Sequence, residues 1–338
     1  MMRGLRYVWL ACALTTMAAP AWAARHPKPA TNHKADVARD KALAGFQRDL
    51  VSVLAPRADA LPLLGAALLA RPLPNQPKYN SFHALIERAA QAQDAGPAID
   101  WMRLADCDAK ADACPNREAL SALQAKAPDN AAVWLLKLGD DQRQLHDDAA
   151  RQDLARAAGA KLYDDYAGIS LKALASTVAV LPPPAATLDP NDTAGAAGLQ
   201  VMMVFGSARA QPQPNLPAAA KLCEGAADDA ALKADCLKLG KVLEWGSSPL
   251  ARSLGLHLRE TLADDAAQQE DARQARRNLV WQVQNFAALS AHAQTDPAVA
   301  QHLLTLARNG GSEMSLMLAA LRNAGIAAEA PADWKPGS

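Results

Sequence analysis

Hydrophobic residues recur along this chain three or four positions apart, the spacing that places them on one face of an α-helix. The clearest runs are Leu43-Phe46-Leu50-Val53 and Met314-Met317-Leu318-Leu321. Sustained alternation of polar and apolar residues, the pattern of a half-buried strand, is nowhere convincing. The pattern therefore predicts an all-α protein, an array of helical hairpins with either a solenoid or an irregular bundle arrangement.

Proline, glycine and capping residues divide this pattern into short helices. Helices are predicted over 61–69, 162–181, 217–225, 229–245, 249–263, 266–291, 297–309 and 312–324. The apolar run 199–205 could be a lone strand, but the absence of a visible partner strand favours a buried helix. Pro56 ends the first helix, which begins at Asp36.

Composition shifts suggest six segments along the chain. They are a signal peptide (1–23), a disordered tail (24–35), an N-terminal helical lobe (36–181), a Pro/Gly/Ala linker (182–198), a C-terminal helical lobe (199–326) and a polar tail (327–338). The linker begins with three prolines, which cannot continue a helix. We therefore expect the helices to form up to two lobes that meet at this segment.

The N-terminus has the pattern of a secretory signal. Arg3 and Arg6 precede an uncharged, mostly apolar stretch that is too short to span a bilayer. The small residues Ala21 and Ala23 flank Trp22, which predicts cleavage after Ala23. A lipoprotein carrying its lipid on Cys12 is the alternative, although the apolar run before Cys12 is very short for that.

Four cysteines follow the predicted cleavage site: Cys107, Cys114, Cys223 and Cys236. An even number in an exported chain favours disulfides, and three pairings are possible. The simplest joins Cys107 to Cys114 and Cys223 to Cys236. A continuous helix would hold either pair about 10 to 20 Å apart, beyond disulfide reach, so each local bridge must close a turn. The spacings match neither a zinc site nor a redox CxxC motif.

Trp101 and Trp134 are 33 residues apart, close to the tetratricopeptide period of 34. The segment Pro128-Asp129-Asn130-Ala131-Ala132-Val133-Trp134 resembles the junction between two such repeats, and Ala150, Leu154 and Ala157 match second-helix positions. Lys137 departs from the family pattern, the mid-repeat Gly and Tyr are missing, and the cysteine loop interrupts the first copy. Over about 97–160, the resemblance implies tetratricopeptide-like hairpins.

The chain as a whole resembles periplasmic helical proteins of xanthomonad-type bacteria. The Ala-rich signal segment, the Pro128–Trp134 stretch and the two-cysteine segment leading into Ser248-Pro249-Leu250-Ala251-Arg252 carry this resemblance. It implies a periplasmic location but no function.

Composition narrows the choice of partners. The chain has 35 basic and 35 acidic residues, so nothing favours nucleic acid or an anionic membrane surface. No segment after the signal approaches the ~20 apolar residues of a membrane span. Aromatic residues make up only 4%, so Trp134, Trp245 and Trp281 are expected to anchor the core.

The motifs that announce common chemistry are absent: HExxH, GxxxxGK[ST], GxSxG and GxGxxG after a strand. No cofactor or metal site is predicted. His146-Asp147-Asp148 is interpreted as a helix start, with acidic residues near its positive end. His257 and Glu260 could share a helix face, but no third metal ligand has a known position. His292 and His302 flank a turn at Asp296-Pro297, and no metal site is predicted there either.

The candidate binding residues are Tyr163, Asp164, Asp165 and Tyr166. Two of the four tyrosines lie three apart there, around two carboxylates, on a predicted helix. Tyrosine offers a large amphipathic contact area at small entropic cost. The alternatives are that both rings pack between helices, or that one acid acts as a general acid in a cleft.

The leading functional hypothesis is an exported, non-catalytic module that binds a protein or peptide partner on a concave helical surface. The alternative is a hydrolase or lyase that acts on envelope polymers through a carboxylate of raised pKa. Glu87, Asp164 and Glu260 are the carboxylates to examine for that activity. A third possibility is a structural factor that matters only under envelope stress.

Overall fold

A computed structural model describes residues 33–107 and 115–336. These residues form 15 α-helices and three short 3₁₀ turns, and they contain no strand. The prediction of an all-α helical array is therefore confirmed for this part of the chain.

The helices are short, except for the first and the thirteenth. Their bounds are α1 (His33–Leu54), α2 (Ala60–Ala70), α3 (Phe82–Ala90), α4 (Pro97–Arg103), α5 (Arg117–Lys126), α6 (Ala131–Arg143), α7 (Asp147–Ala158), α8 (Ala167–Val178), α9 (Gly195–Ala208), α10 (Leu216–Glu224), α11 (Ala230–Glu244), α12 (Pro249–Leu262), α13 (Ala266–His292), α14 (Pro297–Asn309) and α15 (Glu313–Asn323).

Local sequence explains most helix starts. The side chains of Asn215, Asp229, Asp296 and Ser312 each accept a hydrogen bond from a backbone N–H in the first turn of the helix that follows. Such caps satisfy donors that have no partner within the helix. Proline occupies the first turn of α4, α12 and α14, where its missing N–H is not needed.

Helices that follow one another pack together, as in α2 on α3, α6 on α7 and α11 on α12. Contacts distant in sequence then join the two halves. Helix α14 lies against α8 and α9, and α11 lies against α7. One contiguous hydrophobic core runs from Phe46 to Ala320 across residues 182–198, and α9 begins within that segment at Gly195. A smaller apolar cluster lies between α12, α13 and α15.

A disulfide joins Cys223 in α10 to Cys236 in α11, with Cα atoms 5.8 Å apart. It closes over the turn between these helices, which confirms the predicted pairing and its position at a bend. The other predicted bridge, Cys107–Cys114, involves a residue outside the described ranges, because Cys114 belongs to neither of them. The predicted signal peptide and most of the predicted tail also lie outside them.

The predicted bounds of two segments are wrong. Helix α1 begins at His33 and includes the last residues of the segment predicted as a disordered tail. Helix α8 begins at Ala167 and ends at Val178, inside the helix predicted over 162–181. The residues before Ala167 are drawn into an extended path by contacts with α6 and with the α11–α12 turn, and a local pattern does not encode those contacts.

Candidate functional site

The predicted binding residues Tyr163–Tyr166 lie in the connection between α7 and α8 and not on a helix, and Tyr166, the N-cap of α8, has a left-handed backbone conformation with φ 57°. Asn130 holds this connection through both ends of its side-chain amide: its Nδ2 donates to the Asp164 carbonyl at 2.7 Å, and its Oδ1 accepts from the Asp164 N–H at 2.9 Å. The Ala131 N–H donates to the Leu162 carbonyl, which ties the same connection to the start of α6. These bonds give the backbone N–H and C=O groups of the connection partners outside a helix. Helix α8 therefore begins at Ala167 and not at the predicted position 162.

The extended path turns alternate side chains in opposite directions. Tyr163 is 4% exposed and Asp165 is 2% exposed, whereas Leu162 is 49% exposed. Tyr166 is half-buried, and its ring packs edge-on against Trp101 with centroids 5.4 Å apart. The four residues therefore do not present one shared outward surface. Of the interpretations open from the sequence, the packing of both rings between elements fits this geometry best.

Tyr163 and Asp165 meet the turn between α11 and α12. Ser247 Oγ donates to Asp165 Oδ1 at 2.9 Å and accepts from the Asp165 N–H at 3.1 Å. Ser248 hydrogen-bonds the Tyr163 hydroxyl. A Cβ on Gly246 would lie 3.1 Å from Tyr163 Cδ1, so a residue without a side chain lets this turn rest on the ring. We call Tyr163, Asp164, Asp165, Ser247 and Glu313 the acid junction.

Glu313, the first residue of α15, adds a further carboxyl to the acid junction. Burial and the negative charge of Asp165 raise the pKa of Glu313 to about 7, against the opposing charge of Arg209. Burial likewise raises the pKa of Asp164, and it raises the pKa of Tyr163 well above its usual value. Sequence reasoning missed Glu313 because about 150 residues separate it from Asp165, and no pattern connects the two.

The same α11–α12 turn exposes a large ring to solvent. Trp245 is 77% exposed and Leu250 is 63% exposed. The prediction that Trp245 anchors the core is therefore wrong. Trp134 and Trp281 are partly buried: Arg156 lies over the Trp134 ring, and the Trp281 ring packs edge-on against Trp334.

Three hydrogen bonds fix the backbone beneath Trp245. The Ser247 N–H donates to the Tyr163 carbonyl at 3.1 Å, and the Met314 N–H donates to the Ser247 carbonyl at 2.9 Å. Arg252 Nε donates to the Gly246 carbonyl at 2.9 Å. Because this turn is held by three separate elements, the exposed ring stands on a fixed base.

Two lysines share the helix face that ends at Trp245. Lys238, Lys241 and Trp245 are spaced i, i+3 and i+7, which places them within a narrow arc of α11. All three are exposed. Lys238 lies 3.7 Å from Asp235, and the described residues offer Lys241 no ion-pair partner. We call Lys238, Lys241, Trp245 and Leu250 the Trp245 surface.

A second group of acids lies between α6 and α7. Asp141 and Asp153 are 4% and 2% exposed, and their carboxyl groups interact between the two helices. Burial and the neighbouring Asp141 carboxyl raise the pKa of Asp153 to about 6. Burial also acts to raise the pKa of Asp141, but Lys137 and the Asp153 carboxyl lower it overall. No local sequence pattern marks this pair, because Asp141 and Asp153 meet only when α7 packs on α6.

A cavity of about 360 Å³ adjoins this pair. Its lining includes Asp141, Lys137, His146 and Arg117 but not Asp153. The carboxyl that faces the cavity is thus the one held ionised by Lys137, while the proton-holding carboxyl lies behind it. The protonated carboxyl therefore does not line the cavity, and the pair has the form of a contact between helices more than that of a catalytic acid.

The other carboxylates considered from the sequence are bound to cations. Glu87 accepts from Arg103 at 2.9 Å, and Glu260 contacts both Arg273 and Arg276. His257 Nδ1 lies 3.4 Å from Arg276. His292 is 3.8 Å from Asp296, and His302 pairs with Asn323. Each of these groups is accounted for by its neighbours within the fold.

Across the ranges that the structure describes, no cluster of three or more His, Cys, Asp or Glu side chains could hold a metal ion. Within the same ranges, none of the helices has the length and apolar character needed to cross a bilayer. Comparison with protein-family models, with curated proteins and with solved structures gave no match.

Proposed function

We propose that this chain is an exported, non-catalytic module that binds a protein partner through the Trp245 surface, and that the bound element is an acidic segment with an apolar anchor residue. The observation that carries the proposal is the 77% exposure of Trp245 on a turn fixed from three sides. The surface differs from the Tyr163–Tyr166 surface expected from the sequence, because Tyr163 and Asp165 are buried.

The exposed ring favours a partner with an apolar contact residue. An indole buries about 150 to 250 Å² when it is covered. Covering the exposed part of Trp245 would contribute about 4 kcal/mol before the costs of association. Tryptophan is also enriched among the residues that dominate binding energy in protein interfaces. A ring whose base is already fixed loses little further entropy on binding.

The two lysines favour an acidic partner. The chain has no net charge overall, so Lys238 and Lys241 create a local positive field and not a general one. Opposite charge on the partner would speed association and fix its orientation. An apolar residue seated on Trp245 with carboxylates towards Lys238 and Lys241 satisfies both features of the surface.

The Cys223–Cys236 bridge supports the proposed export of the chain. Disulfides persist in oxidising spaces such as the bacterial periplasm and are rare in the cytosol. The bridge ties α11, the helix that carries Lys238 and Lys241, to α10. The predicted signal segment at 1–23 is consistent with the same location.

The proposal is tested with a defined probe. A fluorescein-labelled peptide of about 12 residues, with one Phe among Asp and Glu, is titrated with the full mature chain and followed by anisotropy. We expect Trp245→Ala to weaken binding at least tenfold, a loss of about 1.4 kcal/mol, and Lys241→Gln to weaken it less and only at low salt. Tyr79→Ala is the matched control, since Tyr79 is 70% exposed elsewhere.

The outcomes separate the possible occupants. Equal binding of a peptide in which Gln replaces the acids would contradict an acidic partner. Unchanged binding by Trp245→Ala would contradict the surface itself. Sedimentation velocity of the chain alone gives the third outcome: self-association abolished by Trp245→Ala would assign the surface to a second copy and overturn the proposal.

A further inference from the structure

The α6–α7 hairpin contains two carboxyl groups whose hydrogen bonds are incomplete. Asp141 Oδ1 is 2.5 Å from Lys137 Nζ, and Asp153 Oδ1 is 3.3 Å from Arg156. The Oδ2 atom of each residue is buried, and the described protein offers it no donor. Lys137 Nζ lies 3.8 Å from Asp153 Oδ2, which is too far for a hydrogen bond. Both residues are almost completely enclosed.

A single proton resolves this arrangement. Buried carboxylate oxygens without donors are costly, and two adjacent carboxylates cannot both remain ionised cheaply. A proton held between the two Oδ2 atoms gives one oxygen a donor and the other an acceptor. It also leaves the pair with one negative charge beside Lys137. Removing that proton leaves two negative charges in contact between the helices.

We propose that Asp141 and Asp153 form a proton-dependent clasp, which holds α7 against α6 in mildly acidic medium and loosens that contact as the medium becomes neutral. The clasp is independent of the proposed partner binding and would operate whether or not the Trp245 surface has a ligand.

The charged groups around the clasp come from each neighbouring element. Helix α6 contributes Lys137 and Asp140, α7 contributes Arg156, and His146 precedes α7 at 3.8 Å from Asp141. Arg117 of α5 lines the cavity on the Asp141 side. Elsewhere on α7, Arg151 pairs with Asp229, the N-cap of α11, and the uncharged Asn215, the N-cap of α10, lies against Gly139 of α6.

Because α7 packs on other helices, a change in the clasp would also affect the packing of its neighbours. Helix α7 packs on both α6 and α11, and Trp245 directly follows α11 as its C-cap. The disulfide fixes α11 to α10, which itself packs on α6. Loosening of α7 would therefore leave α11 attached through α10 and α12 while one of the helices that pack on it moves.

The direct test is hydrogen exchange of the full mature chain, measured by mass spectrometry at pH 5.0 and 7.5 with rates corrected for intrinsic exchange. We expect the protection of peptides within 147–158 to fall at least fivefold at pH 7.5, while peptides of α2 stay unchanged. Asp153→Asn should abolish the difference, because its amide N–H can donate to Asp141 at every pH. Equal corrected protection of α7 at both pH values in the wild type would overturn the proposal.

Two further variants keep the assignment specific. His146→Gln should retain the pH-dependent change, and its disappearance in that variant would assign the effect to the histidine and overturn the clasp. Asp148→Asn, an exposed acid in the first turn of α7, is the matched control and should also retain it. If Asp153→Asn shows the same pH-dependent loss as the wild type, the proposal is likewise overturned.

Discussion

The acid junction and the Trp245 surface share one turn of the chain but treat their aromatic residues in opposite ways. Tyr163 is 4% exposed and Trp245 is 77% exposed. The two residues are nevertheless close along the backbone contacts, because the N–H of Ser247, two residues after Trp245, donates to the Tyr163 carbonyl. Tyr163 has a serine partner for its hydroxyl and a glycine against its ring. Trp245 has neither. The difference in burial depends on whether a neighbouring element packs against the ring, and not on the type of residue.

The comparison also separates two uses of charge. In the acid junction, burial disfavours the negative charge of Asp164 and Glu313, so ionisation of these two carboxyls destabilises the fold as pH rises. The Trp245 surface has lysines in solvent, where a partner can meet their charge. Stability therefore depends mainly on the first region, and binding is proposed to depend on the second.

The largest expected difference between the two regions is in the free energy of unfolding of variants that lack one aromatic ring. Tyr163→Ala removes a buried ring and leaves a cavity, so we expect a loss of about 3 kcal/mol in the free energy of unfolding. Trp245→Ala removes an exposed ring and should change it by less than about 0.5 kcal/mol. Urea denaturation followed by circular dichroism measures both. Similar losses in the two variants would contradict the assignment of one residue to the interior and the other to the surface.

The charge of the acid junction gives a smaller and pH-dependent effect. The pKa of Glu313 is raised from 4.5 to about 7 in the fold, so the folded chain holds more protons than the unfolded chain between these values. Stability must then fall as pH rises from about 4.5 to 7. We expect Glu313→Gln to be more stable than the wild type by on the order of 1 kcal/mol at pH 8, with no advantage at pH 4.

Thermal melting of Glu313→Gln and the wild type over pH 4 to 8 checks this expectation. Glu329→Gln is a matched control, since Glu329 is exposed in the C-terminal segment. A constant difference between Glu313→Gln and the wild type across the whole range would show that folding does not change the pKa of this carboxyl, and would refute the raised pKa.

The sequence was informative where structure follows local rules. Helices such as 297–309 were predicted to their ends because Asp296 caps the first turn and Pro297 occupies it. The Cys223–Cys236 bridge was predicted because an even number of cysteines in an exported chain favours disulfides and the local pairing is the simplest. In each case, residues close in sequence determine the outcome.

The sequence was uninformative where distant elements decide. The connection at 160–166 carries a helical pattern, but Asn130 and Ser247 capture it from positions 34 and 82 residues away. The same capture buries Tyr163 and leaves Trp245 outside, which reverses the expectation for both rings. The contacts of Glu313 and of the Asp141–Asp153 pair likewise depend on which helices pack together. The hydrophobic pattern of a single sequence does not show which helices those are.

Hydroxyl-radical footprinting of the monomeric mature chain tests the central claim most directly, because it measures the solvent access of each aromatic ring in one experiment. The account predicts rapid oxidation of Trp245, slow oxidation of Trp101 and Tyr163, and protection of Trp245 when the acidic peptide is added. Slow oxidation of Trp245 in the free chain, at the rate of the fully buried Trp101, would contradict it.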